Sequence, residues 1–160
     1  MHASDLNEEA TMPIGEICNR EVVIAFAREN AVEAAKLMRQ YHVGDVVIVE
    51  ERDGRRVPVG IVTDRDLVIE VMAKEVDPSL FRMEDLVTRE LATAREQDGV
   101  YETIQRMRVH GVRRMPVVDA EGALVGIVAL DDLLALLAEE MMALARITRR
   151  EQEVEAAIRR

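Results

Sequence analysis

Two short stretches carry side chains whose types and spacing could do chemistry: Thr63-Asp64-Arg65-Asp66 and Ala129-Leu130-Asp131-Asp132. Each follows a β-branched run opened by glycine, Gly60-Ile61-Val62 or Gly126-Ile127-Val128. Each therefore reads as a short buried strand running straight into a helix, with a glycine that permits a tight turn or a close neighbour. The carboxylates put acceptors and negative charge at a helix start, where free N–H groups need partners. That is the chemistry of capping or binding, and no bond-making constellation accompanies it. Ser4 and Ser79 are the only serines, and neither sits in a nucleophile elbow. No glycine-rich loop ending in Gly-Lys-Ser/Thr occurs. His2, His42 and His110 are not spaced as a metal cluster, and the single Cys18 can form neither an internal disulfide nor a zinc site; it reads as a small buried apolar residue. The expectation is a protein that is not an enzyme.

The elements that must position these residues follow from periodicity. Ile14 to Cys18 reads as one helical turn, and Glu21 to Ala25 as a short strand. Ala31 to Tyr41 is a helix capped by Asn30, with Val32, Ala34, Ala35, Leu37 and Met38 giving its apolar positions. Val43 to Glu50 and Val57 to Val62 are strands joined by a hairpin at Asp53-Gly54. Asp64 to Lys74 is a second helix, and Asp77-Pro78-Ser79 breaks the pattern.

The pattern then restarts. Adding 69 to a first-half position finds its partner in the second: Ile14 with Met83, Ile17 with Leu86, Arg20-Glu21 with Arg89-Glu90, Met38-Arg39 with Met107-Arg108, Val43 with Val112. Beyond the hairpin the offset falls to 66, because the first turn is three residues longer, and Gly60-Ile61-Val62 meets Gly126-Ile127-Val128. A period this long is a tandem duplication of one supersecondary unit. Each unit alone is too small to bury its sheet face, so the two are expected to pack face to face. The expected organisation is an N-terminal arm (1–13), a first repeat (14–76), a linker (77–82), a second repeat (83–140) and a C-terminal helical extension (141–160). Leu133 to Arg160 holds no Gly or Pro and carries the stripe Leu133, Leu137, Met141, Leu144 and Ile147. The distal part of so long a helix is expected to pack on a second subunit or to project as a solvated tail rich in arginine.

Composition bounds the rest. Of 160 residues, 49% are hydrophobic and 2% aromatic, so the core must be aliphatic. The net charge of −10 argues against non-specific nucleic-acid binding but leaves room for a local basic pocket. No signal-peptide pattern opens the sequence, and no uncharged run is long enough to span a bilayer. The expectation is a cytoplasmic protein without membrane association.

The repeat resembles the CBS domain, the cystathionine-β-synthase-type module, whose tandem pairs are termed Bateman modules. The likeness rests on Val43 to Val49 and Gly60-Ile-Val-Thr63-Asp64-Arg65-Asp66, then Met115-Pro116-Val117-Val118-Asp119 and Gly126-Ile-Val-Ala129-Leu130-Asp131-Asp132, and covers roughly Pro13 to Glu140. It implies an α/β (α+β) fold of two βαββα repeats packed face to face, followed here by a long C-terminal helix. It also implies an adenosine nucleotide in a cleft between them. By this resemblance Asp66 in one site and Asp132 in the other would accept from the ribose hydroxyls. Thr63, with Asp64 and Arg65 beside it at the helix start, would receive phosphate, a role Ala129 cannot take. Adenine would pack against Val22, Val23, Val43 and Val46 in the first site, and against Leu91, Val112 and Pro116 in the second. Arg113-Arg114, standing where the first repeat has Gly44-Asp45, matches a position at which AMP-sensing relatives place basic residues on phosphate. Arginine suits that role through its bidentate fork. An adjacent pair on a strand points to opposite faces, so one of the two is expected to enter the cleft. The pair reads as locally unopposed, whereas Asp45 is electrostatically unfavourable for phosphate. Which of the two sites the arginines serve stays open.

The implied function is a regulatory module that senses an adenosine nucleotide, AMP first and ADP, ATP or NAD as alternatives, and signals to an effector protein. No cofactor or metal is required, and a homodimer is expected. The competing expectation is a homodimeric scaffold with degenerate sites.

Overall fold

The computed structural model describes residues 12–87 and 90–159; the N-terminal arm to residue 11, Arg89 and Arg160, on which parts of the sequence reading fell, lie outside the described residues. The chain divides into two bodies, one ending at Val128 and one formed by the C-terminal helix from Ala129 onward.

The first body contains α1 (Ile14–Ile17), β1 (Ile24–Phe26), α2 (Ala31–Tyr41), β2 (Asp45–Arg52), β3 (Arg55–Thr63) and α3 (Asp64–Asp66), which continues into a π-helical segment, Leu67–Met72. After the linker come α4 (Met83–Leu86), β4 (Ala94–Arg95), α5 (Val100–His110), β5 (Arg114–Val118) and β6 (Leu124–Ala129). There are two three-stranded sheets, β1-β2-β3 and β4-β5-β6, so the mixed α/β (α+β) fold of two repeats stands. In each, the first strand runs parallel to the second, at Ala25↔Ile48 and Ala94↔Val117. The crossover needed for parallel pairing is supplied by α2 or α5.

Local chemistry accounts for the elements. α2 begins where Asn30 Oδ1 accepts from the Glu33 N–H at 3.1 Å, and ends at His42 in the left-handed region. Its buried residues, Ala31, Ala34 and Met38, recur at helical spacing and join Val46, Ile48, Val62 and Met83 in the core. The β2–β3 hairpin closes on two residues, Asp53 and Gly54, both at positive φ (52° and 74°). That geometry matches the strand twist and favours an Asp-Gly pair. The ladder slips between Ile48 and Val49, opposite Gly60 and Pro58, where Pro58 has no N–H to donate.

Several boundaries differ from the sequence reading. The strand expected over Glu21 to Ala25 is Ile24–Phe26, because the paired register with β2 is confined to those three residues; Val23 still accepts the Val47 N–H at 2.9 Å. The two hairpin strands extend to the turn on both sides, Asp45–Arg52 and Arg55–Thr63. The helix expected over Asp64 to Lys74 turns π-helical after Asp66, and the Ala73 N–H reaches back five residues to the Val68 carbonyl. Apolar spacing does not distinguish a π-turn from an α-turn over six residues.

The repeats are interlocked by their opening turns. The Ile14 and Gly15 N–H groups donate to the Asp98 and Glu96 carbonyls, so α1 of the first repeat docks beside β4 of the second. Reciprocally, the Met83 and Glu84 N–H groups donate to the Glu29 and Ala27 carbonyls, and Met83 and Leu86 of α4 are buried in the first repeat's core. The motif glycines make this exchange possible. A Cβ on Gly60 would lie 2.4 Å from Val87 Cγ2, and one on Gly126 would lie 2.5 Å from Cys18 Sγ. Val87 and Cys18 are themselves equivalent under the 69-residue offset. Each glycine therefore admits the other repeat's turn, and neither has positive φ.

The second body is α6 (Leu130–Ile158), a single helix of 29 residues, about 44 Å long at ~1.5 Å per residue. It starts at Leu130, three residues before the expected stripe. Leu134, Leu137, Met141, Leu144, Ile147, Val154 and Ile158 are exposed along it. Among the described residues no helix is long and apolar enough to cross a membrane.

Candidate functional site

Thr63 and Asp66 form a reciprocal capping box at the end of β3. Asp66 Oδ2 accepts from the Thr63 N–H at 2.8 Å and from the Thr63 hydroxyl at 2.7 Å, while Thr63 Oγ1 accepts from the Asp66 N–H at 3.2 Å. Thr63 thus uses its hydroxyl both as donor and as acceptor inside the turn. Among the described residues Asp66 Oδ1 has no donor. Asp64 is exposed: its Oδ1 accepts from the Arg65 N–H at 2.7 Å, and its own N–H donates to the Gly44 carbonyl at 2.9 Å. Arg65 is exposed too.

The equivalent turn at the start of α6 keeps half of this device. The Ala129 N–H donates to Asp132 Oδ2 at 2.9 Å, and Ala129 has no side-chain oxygen to return a bond. Asp132 is exposed.

Strand parity sorts the apolar candidates. Along β2, Asp45, Val47 and Val49 share one face, and Val46 and Ile48 the other. Val46 is fully buried with Ile48 in the first repeat's core, beneath α2 and α4, and presents no surface. Val47, which the sequence reading did not name, is the apolar residue on the Asp45 face and is as fully buried as Val46; its register partner in β1 is Ile24. Parity was available from the sequence, but the strand's uniform β-branched character hid it. Val22, Val23 and Val43 are half-buried, as are Leu91 and Val112, whereas Pro116 is fully buried. Pro116 shares its face of β5 with Arg114.

The sequence reading is corrected at the arginine pair. Arg113 precedes β5 and is exposed, but Arg114 is not unopposed: its Nε lies 2.8 Å from Asp45 Oδ1. The two residues are equivalent under the 69-residue offset, so the same position in each repeat meets its counterpart across the interface. Asp45 is also the register partner of Thr63. The second repeat thereby delivers its guanidinium to the edge of the first repeat's Thr63–Asp66 turn. Burial pushes the Asp45 carboxyl above its ordinary range, Arg114 pulls it back down, and neighbouring Asp64 pushes it up again. Among the described residues no three His, Cys, Asp or Glu side chains gather as a metal site.

A duplicated unit with exchanged opening turns and a charged contact between equivalent positions defines a paired α+β module. The family model described as the CBS domain matches residues 14–73 and 83–139, and the chain belongs to that family. An uncharacterized protein of Methanopyrus kandleri is 39% identical over 124 residues, which are 78% of this chain and 62% of that protein. This chain thus spans about three-fifths of that relative's length. Hypoxic response protein 1 of Mycobacterium tuberculosis is 32% identical over 78% of this chain and 84% of that one. Among solved structures, the CBS domain pair of protein MJ0100, in complex with 5′-methylthioadenosine and S-adenosyl-L-methionine, superposes with a TM-score of 0.69 at 25% identity. That match covers 81% of this chain and 98% of the other.

Proposed function

We propose that this chain is a regulatory module that binds an adenosine-type ligand between its two repeats and signals to an effector protein, without catalysing a reaction. One observation carries the reading: the Thr63–Asp66 turn of one repeat lies in register with Asp45, which receives Arg114 from the other repeat. A carboxylate with a free oxygen suits vicinal hydroxyls, and a guanidinium suits phosphate. The adenosyl ligands of the MJ0100 domain pair support the ligand class. AMP is the favoured member because Arg114 can take one phosphate; ADP, ATP and NAD are the alternatives. Thr63, Asp64, Arg65 and Asp66 form the polar end of the first site, with the half-buried Val22, Val23 and Val43 as its apolar wall. Leu91, Val112 and Pro116 are assigned to the second.

The effector reads a change in how the repeats pack, which a ligand can shift only by binding two arrangements with different affinity. We also assign a homodimer. Glu139 and Glu140 lie about 15 Å along α6 from Arg149 and Arg150 at ~1.5 Å per residue, so two antiparallel copies bring opposite charges together over the exposed leucines.

A second reading has its own support. Thr63 already uses its hydroxyl within the cap, and Asp45 already occupies Arg114, as in a scaffold with degenerate sites. Calorimetric titration with AMP, ADP, ATP, NAD and S-adenosylmethionine separates the two. The sensor binds at least one saturably. Asp66→Asn, which keeps an acceptor for the cap but places an NH2 group toward the ribose, weakens binding without unfolding the protein. No heat and no thermal shift with any of the five would leave the scaffold.

A further inference from the structure

The Asp45–Arg114 contact has features beyond those of a surface ion pair. Asp45 is 13% exposed, the most buried carboxylate of any described pair, and it joins two repeats. Arg114 engages it through Nε; among the described residues neither terminal nitrogen has an acceptor, and the side chain is 38% exposed. Asp45 in turn has no other described cationic partner, and Asp64 stands close enough to disfavour its charge. The arrangement is a half-used fork held by a carboxylate that depends on it.

We propose that Asp45 is the specificity-determining residue of the first site. It competes with a ligand's phosphate for Arg114, so that anionic ligands bind only by exchanging with it and opening the inter-repeat pair. This rests on the nucleotide reading above and adds its regulation. A phosphate beside the Thr63–Asp66 turn meets the carboxylates of Asp45, Asp64 and Asp66, against which exposed Arg65 is the one cation on that turn. When Arg114 swings its whole guanidinium to the phosphate, Nε leaves Asp45, which is then a buried carboxylate without a partner. Phosphate binding is therefore weakened by the stranded acid, while a ligand lacking phosphate leaves the pair closed. The same exchange removes a bridge between β2 and β5, which couples ligand charge to repeat packing. The grouped charges are those of the start of β2 (Asp45), of α3 (Asp64, Arg65 and Asp66) and of the start of β5 (Arg114).

The test compares AMP with adenosine by calorimetry in the full chain, in Asp45→Asn and in Asp45→Asn/Arg114→Met. Asp45→Asn is expected to tighten AMP about tenfold, the size of one charge-assisted hydrogen bond, while leaving adenosine within about twofold. The double variant is expected to lose the preference for AMP. An AMP-to-adenosine affinity ratio that is the same in the full chain and in Asp45→Asn overturns the proposal. If neither nucleoside binds any variant, the nucleotide reading fails by itself, and sulfate then tests the exchange directly. Thermal unfolding in sodium sulfate and in sodium chloride at equal ionic strength should show extra sulfate stabilisation in Asp45→Asn that the double variant lacks. An equal sulfate response in all three proteins overturns the competition.

Discussion

Replacing Arg114 with methionine isolates what a single cross-repeat charge contributes. The substitution keeps an unbranched apolar stem but removes the only described cation paired with Asp45. Exposed ion pairs contribute ~0–1 kcal/mol, and breaking a fully buried pair costs ~3–5 kcal/mol. Asp45 at 13% and Arg114 at 38% exposure lie between these limits, with one bond rather than a bidentate fork. The expected loss is about 1.5 kcal/mol, or a Tm lower by about 5 °C for a chain of this size. Asp45→Asn should come out near neutral, because the same step that deletes the ion pair deletes the penalty of burying a charge.

The pH dependence has a definite sign. An acid whose folded pKa is raised binds more protons folded than unfolded, so it lowers stability as pH rises from its unfolded value, 3.8, through its folded one. Above that window the penalty is fully present; below it the penalty is gone. Removing Arg114 removes the influence that lowers the Asp45 pKa, so the window extends upward and the penalty grows. The defect of Arg114→Met should be full near neutral pH and shrink as pH falls toward about 4. Chemical denaturation of the wild type, the two single variants and the double variant at both pH values reads this directly. The reasoning fails if Arg114→Met is equally destabilised at both pH values, or if adding Asp45→Asn to it recovers nothing.

Three other outcomes follow from the same contacts. Asp66→Ala strips the acceptor from both the Thr63 N–H and the Thr63 hydroxyl and should cost ~1 kcal/mol by thermal unfolding, in addition to any loss of ligand. Gly60→Ala drives a Cβ into Val87 and should cost ~1–3 kcal/mol. Combined with Val87→Ala the loss should be smaller than the sum of the two single losses by more than ~0.5 kcal/mol, and strict additivity would deny that the two residues meet. Ending the chain after Glu140 removes the mostly exposed Met141, Met142, Leu144 and Ile147. It should leave Tm within about 2 °C in a monomer, at ~2–4 °C per kcal/mol, while lowering the mass measured by light scattering if α6 holds two copies together.

The fold was largely legible because its signals are local. Asn30 as a cap and Asp53-Gly54 as a hairpin each depend on residues near one another, and the 69-residue register repeats those local patterns along the chain; each appears as expected. The π-helical segment was not legible, because inserting one residue into a helical turn leaves the apolar spacing of Leu67, Val68 and Val71 compatible with either helix. Nor was the exchange of α1 and α4 legible. Ile14 and Met83 are apolar whichever sheet they cover, and only their hydrogen bonds to Asp98 and Glu29 assign them to the opposite repeat. The glycines were read correctly as permitting close approach, but the neighbour that approaches each is distant in sequence.

The reading of the arginine pair as unopposed failed for a related and more instructive reason. Offset alignment set Asp45 and Arg114 side by side as corresponding positions and invited a contrast between two separate sites. In a protein made of two facing copies, corresponding positions near the interface are also candidates for contact with each other. Identical residues at such a place confront their own charge: two aspartates repel, and two arginines repel. Divergence to Asp45 and Arg114 converts that repulsion into attraction without any change elsewhere. The same step also makes the repeats unequal, since one now holds the acid and the other the base. The difference between the sites and the bond between the repeats are therefore one event. Under the proposed function, a ligand that disturbs the first would act on the second, and Asp45 and Arg114 would be the place where occupancy and repeat packing are coupled.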